Sequence, residues 1–172
     1  GVNLNTAWTA IYTDAIRNCE EIIKNAEEPG NTLYSGIAKI LKAYAYSQLV
    51  DVFGDIPFSE SNDYQGGAGF GAPAFDQGKD IYPQLFALLD EGIADLNNTT
   101  AANPNKPGSD DLIYGGKAAS WINAANTIKL KLYNQARLVQ DVSGPVNELL
   151  SGGKLIGSTA ASFAFPYGTA SS

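Results

Sequence analysis

The chain has 172 residues, 44 % of them hydrophobic, and a formal net charge of −7 from 18 acidic and 11 basic side chains. That length supports one domain with a real core, and so few Lys and Arg exclude a phosphate-binding footprint for nucleic acid or a pull toward anionic lipid headgroups. The absence of histidine removes His-based acid–base catalysis, Ser-His triads and the commonest metal ligand, and a single cysteine cannot close an internal disulfide. No apolar run is long enough for a transmembrane helix, and no charged-then-apolar leader is present, so any signal peptide is expected to lie outside these residues.

Residues 5–28 predict a first helix. Trp8, Ile11, Tyr12, Ala15, Ile16, Cys19, Ile22, Ile23 and Ala26 make a nearly unbroken apolar stripe, with Trp8 and Tyr12 expected to pack in the core and Cys19 to act as a small hydrophobe. Pro29-Gly30 closes this helix, and the short link to the next forces an antiparallel hairpin. The second helix begins near Asn31 or Thr32, either of which can cap it. Leu33, Ile37, Ile40, Leu41, Tyr44, Leu49, Val52 and Phe53 give it one broad buried side. Gly54 can end it in the left-handed region, and Pro57 prevents continuation.

Residues 54–78 then form a loop of about twenty-five residues, long enough to expect function or disorder. Its tip, 64–75, interleaves glycines with aromatic rings but matches no phosphate-cradling pattern. The next helix runs from about Lys79 to Leu96, with Ile81, Tyr82, Leu85, Leu88, Leu89, Ile93 and Leu96 on one face and Asp90, Glu91 and Asp95 pointing away. Asp76 and Asp80 bracket its start as caps suited to the helix dipole, and no EF-hand spacing suggests calcium. After a polar turn region with Pro104 and Pro107, Asp110 to Lys117 lead into a fourth long helix over about 117–140. Its apolar positions are Ala118, Trp121, Ile122, Ala125, Ile128, Leu132, Ala136 and Val139. Lys129, Lys131 and Arg137 along it are either a solvated face or partners for the many carboxylates. A short fifth helix carries Pro145 at a tolerated early position, turns Leu149 and Leu150 inward, and stops at Gly152-Gly153.

Nothing reads as a strand ladder. The expected fold is all-α: stacked antiparallel helical hairpins of tetratricopeptide-like type with long loops, forming a single helical domain over residues 1–172. Two carboxylate pairs, Asp51 with Asp55 and Asp110 with Asp111, are the nearest candidates for glycosidase chemistry, which needs two carboxyls across a cleft. Neighbouring carboxylates at helix ends are more often caps or solvated charge, so no catalytic residues, cofactor or metal are expected.

Three landmarks occur in order: AYAYSQLVDVFGDIPFSES, PAFDQGKDIYPQLFALLDEGIADL and DLIYGGKAASWINAANTIKLKLYNQARL. Together they resemble the SusD/RagB-like outer-membrane lipoproteins, glycan-capture partners of TonB-dependent transporters. The resemblance covers residues 8–167 and is to the N-terminal helical portion of a longer protein. Lys129 and Lys131 stand where relatives often carry Arg, and the loop at 62–75 is unusually glycine-rich. The resemblance implies capture of an oligosaccharide or polysaccharide without bond cleavage, delivery to a SusC-like TonB-dependent transporter, and an outer-membrane location. Membrane contact would come only through a lipid anchor that these residues do not include. The expected sugar-facing groups lie in the turn and loop after the second helix: Phe53, Asp55, Tyr64, Phe70 and Phe75. For Phe53 a core position is the alternative. The competing function is a helical-repeat protein–protein interaction scaffold that binds no sugar.

Overall fold

The computed structural model describes residues 3–28, 30–61 and 73–165. Six α-helices account for most of them: α1 (Leu4–Ala10), α2 (Arg17–Glu27), α3 (Thr32–Phe53), α4 (Gly78–Leu96), α5 (Ala118–Ala136) and α6 (Ser143–Gly152). A π-helical segment, Ile11–Ile16, joins α1 to α2, and a 3₁₀ turn follows at Thr159–Ala161. Among the described residues there is no β-strand, only an isolated antiparallel bridge between Ile56 and Asp76. The all-α hairpin stack read from periodicity is the observed architecture. α2 pairs with α3, α3 packs most extensively on α4, and α4 packs on α5.

α3 is the axle. Eleven of its 22 residues are buried, and they lie all around it rather than on one stripe, because α2, α4 and α5 cover it from different sides. Ile40, Tyr46 and Leu49 from α3, Ile81, Leu85 and Leu89 from α4, and Trp121 and Leu132 from α5 fill the centre of the core. The approach of α3 to α4 is set by two glycines. A Cβ on Gly36 would stand 2.8 Å from the Gly92 carbonyl oxygen, and one on Gly92 would stand 2.9 Å from the Gly36 carbonyl oxygen. No side chain fits at that crossing, so the backbones touch. Polar bonds bind the helices beside it: Ser35 donates to Asp95 at 2.7 Å, and Lys39 pairs with Asp95 at 2.9 Å and Glu91 at 3.4 Å.

Several expected details are corrected. The first helix is not one regular element: its π segment inserts an extra residue into the turn, which re-aims the apolar stripe, so Ala15 and Ile22 are exposed while Ile16, Cys19 and Ala26 are buried. Asp95 does not point away. It is drawn against α3 by Ser35 and Lys39, and Asp90 meets Lys129 of α5. Lys131 reaches Asp51 at 2.7 Å, so these two lysines are partners for carboxylates and tie neighbouring helices together. Val52 lies on the outer side of the last turn of α3 and is exposed. α5 ends at Ala136, whose carbonyl accepts the amides of Val139 and Gln140, and Val139 beyond it is 87 % exposed. Leu150, expected inward, is exposed on α6.

The N-terminal cap of α3 comes from a distance. Neither Asn31 nor Thr32 caps with its own side chain. The Leu33 amide donates to the Asn103 side-chain oxygen at 3.0 Å, and Asn31 instead accepts the Asn105 amide at 3.0 Å. Asn103 adopts a positive φ of 41°, which asparagine tolerates better than most residues, and is buried at the hairpin's end.

The glycine crossing makes a sharp prediction. Gly36→Ala gains about 1 kcal/mol in helix propensity, but it forces a methyl into the Gly92 carbonyl and the Leu96 side chain. Urea unfolding should show a net loss of about 2 kcal/mol. Gly144→Ala in α6, where an added Cβ meets nothing within 4 Å, should be neutral or slightly stabilising.

Candidate functional site

α3 stops where its chemistry requires. Gly54 takes a φ of 76° with open space where a Cβ would be, and its amide closes on the Val50 carbonyl at 2.9 Å. The chain then turns through Asp55-Ile56-Pro57, with Ile56 wholly buried as a plug. The Tyr12 hydroxyl donates to the Pro57 carbonyl at 2.6 Å, so the π segment of the first helix grips this turn directly. Burial, with Tyr46 nearby, pushes the Tyr12 phenol far above its ordinary pKa, and it acts here as a fixed donor. Tyr46, also buried and pushed up to about 12, shares a 2.5 Å hydrogen bond with Ser61 on the outgoing arm.

The returning arm is tied to the outgoing one. Ile56 and Asp76 exchange both backbone hydrogen bonds at 3.1 and 2.9 Å. The Asp76 carboxylate accepts the amides of Phe58 at 3.0 Å and Ser59 at 2.8 Å, and the Ser59 hydroxyl as well. These donors, the Ser59 amide above all, hold its carboxyl below the usual range. Glu60 accepts the Ala74 amide at 2.9 Å. Asp55 accepts the Gly78 amide at 3.0 Å and so caps α4. The caps are thus reassigned: Asp55 does the work expected of Asp76, while Asp76 fastens the neck. The reason is the turn itself, which brings Asp55 to the start of α4.

Two of the five expected sugar-facing residues, Phe53 and Phe75, meet on Trp8, and a third, Asp55, lies in the turn between the arms. Phe75 is 63 % exposed, and its ring stacks on Trp8 with centroids 6.4 Å apart and planes inclined by 23°. Phe53, half-buried, packs edge-on against the same Trp8 at 4.8 Å. Asp55 is exposed in the turn just past Phe53. Tyr64 and Phe70 lie outside the described residues. Trp8, assigned to the core by spacing, is half-buried and links Phe53, Tyr12 and Phe75 into one aromatic surface. Only the fold could reveal this, because Phe75 is far from Trp8 in sequence. An apolar ring face bordered by a carboxylate can stack on the C–H face of a sugar and accept from its hydroxyls.

The other carboxylates are structural. Asp51 accepts from the Tyr82 hydroxyl at 2.6 Å and the Lys131 ammonium at 2.7 Å. Burial alone would push its carboxyl up, but those partners outweigh it and hold it low. Asp110 accepts from the Tyr34 hydroxyl at 2.6 Å, which lowers its pKa. Asp111 accepts from the Trp121 indole and the Gly116 amide, each at 2.7 Å, and from the Ile113 and Tyr114 amides. Burial raises it, and these donors more than offset the rise. A glycosidase acid needs a raised pKa, and these three are pulled the other way. The Asp-Leu-Ile-Tyr-Gly-Gly segment is therefore a carboxylate-wrapped turn. Gly116 is required in it because a Cβ would fall 2.0 Å from the Pro107 carbonyl oxygen. A cleft of about 370 Å³ between α2, α3 and α4 is bordered by Lys39, Lys42, Glu20 and Asp95. Its lysines pair with its own carboxylates, and no aromatic ring lines it for stacking.

Because Asp51 and Asp111 have lowered folded-state pKa values, their stabilisation is complete above the unfolded carboxylate value of about 4 and is lost as pH falls through the lowered values. Denaturant titrations should show stability dropping below about pH 4, less steeply in Asp111→Asn. At neutral pH Asp111→Ala should cost about 3 kcal/mol, since the buried Trp121 indole and three amides lose their acceptor.

A family model described as SusD-like, starch-binding and associating with the outer membrane, matches residues 2–143. Among curated proteins none matches. Solved structures superpose well. A SusD/RagB family protein from Bacteroides thetaiotaomicron is 26 % identical, with a TM-score of 0.80 over 94 % of this chain and 33 % of its own. A SusD homologue from Bacteroides uniformis is 26 % identical, with a TM-score of 0.70 over 94 % of this chain and 32 % of its own. A chitin-binding SusD homologue from Flavobacterium johnsoniae is 25 % identical, with a TM-score of 0.70 over 86 % of this chain and 30 % of its own. The chain spans about a third of the length of these relatives. With the family model covering most of the sequence and the helical stack shared, the chain belongs to the SusD-like family.

Proposed function

We propose that this chain contributes to glycan capture through the aromatic surface at the end of α3. The observation that carries the reading is Phe75, a large ring left mostly in water yet held in a stack on Trp8. Burying that ring against a sugar recovers its apolar area without ordering a new side chain, so the geometry is prepaid. Phe75 offers its outer ring face to the sugar, Trp8 backs it on the other side with Phe53 packed edge-on against Trp8, and the second oxygen of Asp55 accepts from a sugar hydroxyl. Tyr64 and Phe70, on the adjoining segment, are proposed to add further ring contacts. The starch-binding description of the family and the chitin-binding relative support an oligosaccharide of pyranose units as ligand. The role is binding without bond cleavage. Delivery to a SusC-like TonB-dependent transporter, from a lipid-anchored position on the outer membrane, is the corresponding cellular proposal.

Calorimetric titration with malto- and chito-oligosaccharides tests the site. Phe75→Ala should weaken binding roughly tenfold, as expected for losing one ring contact of about 1 kcal/mol or slightly more. Its melting temperature should stay at the wild-type value, since the ring is outside the core. Phe53→Ala, which removes the support under Trp8 and part of the core's edge, should lower both affinity and melting temperature. Unchanged affinity in Phe75→Ala would leave the helical scaffold role alone. Co-purification with the transporter, and loss of glycan uptake on deletion, are the expected cellular outcomes.

A further inference from the structure

Exposed phenylalanines ordinarily fold down onto the nearest apolar surface, and something must hold Phe75 where it stands. Both of its neighbours are tied to the outgoing arm by carboxylates: the Ala74 amide by Glu60, and Asp76 through its own side chain to Phe58 and Ser59. The Asp76 backbone is fixed as well, by the paired bonds with Ile56. In extended backbone, successive side chains point to opposite sides. With the Asp76 carboxylate turned toward residues 58 and 59, the side chain before it is turned the other way, onto Trp8.

We propose that Asp76 is a positioning residue that sets Phe75 in its stack on Trp8 and thereby sets the affinity of the ring pair for sugar. The proposal rests on the glycan-site reading for its consequence, and on the neck's hydrogen bonds for its mechanism. Asp76 touches no ligand. It acts by fixing the backbone that carries Phe75, through charge-assisted bonds stronger than neutral ones. Preorganisation of this kind improves affinity by removing an ordering cost from the binding step. Asp76 stands at the neck and outside the buried core, so its removal loosens neck contacts and leaves the core packing between the helices in place.

The test compares Asp76→Ala, Asp76→Asn and Phe75→Ala in the whole chain. Titration with malto- and chito-oligosaccharides reads affinity, thermal melting reads folding, and acrylamide quenching of tryptophan fluorescence reads the Trp8 surface. Trp121, 1 % exposed, contributes little to that quenching. Removing the Phe75 ring uncovers Trp8, so quenching rises in Phe75→Ala. Asp76→Ala should move quenching toward the Phe75→Ala level and weaken binding by up to the same roughly tenfold, because it frees the Phe75 ring from its position, with a modest fall in melting temperature from the lost neck bonds. Asp76→Asn keeps an oxygen that can accept both the Phe58 and Ser59 amides and turns its NH2 toward the Ser59 hydroxyl, so it loses only the charge and should fall between wild type and Asp76→Ala. Wild-type quenching and affinity in both Asp76 variants, with Phe75→Ala weakened, would overturn the positioning role and spare the glycan site. Wild-type affinity in Phe75→Ala would overturn the glycan site, and the Trp8 quenching of the Asp76 variants would then decide the positional role by itself.

Discussion

The backbone contact between Gly36 and Gly92 is the constraint on which the rest of this structure depends. Helix axes can approach this closely only where neither carries a side chain, and the two carbonyls occupy the space a Cβ would need. With α3 and α4 locked at that point, their facing rows interdigitate along both directions, and the ion pairs of Lys39 with Asp95 and Glu91 fall beside the crossing. The ends of the two helices are then brought together as well. That is how Asp55, just past α3, reaches the first amide of α4.

From that junction the candidate site follows by short steps. The end of α3 and the start of α4 hold the two arms of the neck, and the half-buried Tyr12 of the first helix and the buried Tyr46 of α3 grip the outgoing arm. The π segment matters here because it lets one helix serve two directions, sending Tyr12 and Trp8 to the neck and Ile16 and Cys19 to the core. Charge in this acidic chain is used mostly as internal fastening. Asp51, Asp76, Asp95 and Asp111 each collect donors from elsewhere in the fold, which is why the described carboxylates that looked like reaction partners read as structural acceptors.

Part of the aromatic group at the neck was legible in one dimension, and the limit is instructive. Phe53, Asp55 and Phe75 stood out as an aromatic and acidic group after a hard stop, and in the fold Phe53 and Phe75 both pack on Trp8 while Asp55 caps α4. The capping role of Asp55 at the start of α4 was not legible, because its partner, the Gly78 amide, is brought near only by the fold. Trp8 packs against the edge of the core as its spacing suggested, but spacing along a helix could not show that it also meets the distant Phe75 ring at the rim. The same limit applied to the cap of α3: Asn31 and Thr32 were plausible by type, yet Asn103 makes the bond across the hairpin's end.

What the sequence determined by itself is the class of element and its family. Apolar spacing near three and four residues marked where helices form, glycine marked the stops of α3 and α6, and the three ordered landmarks carried the SusD-like assignment that the family match supports. These are local properties, set by each residue and its near neighbours. Tertiary structure decided which polar groups meet, where the first helix changes register, and that Trp8, Phe53 and Phe75 form one surface. Such pairings depend on how closely α3 and α4 approach, and that distance is set by a contact between two glycines far apart in the chain.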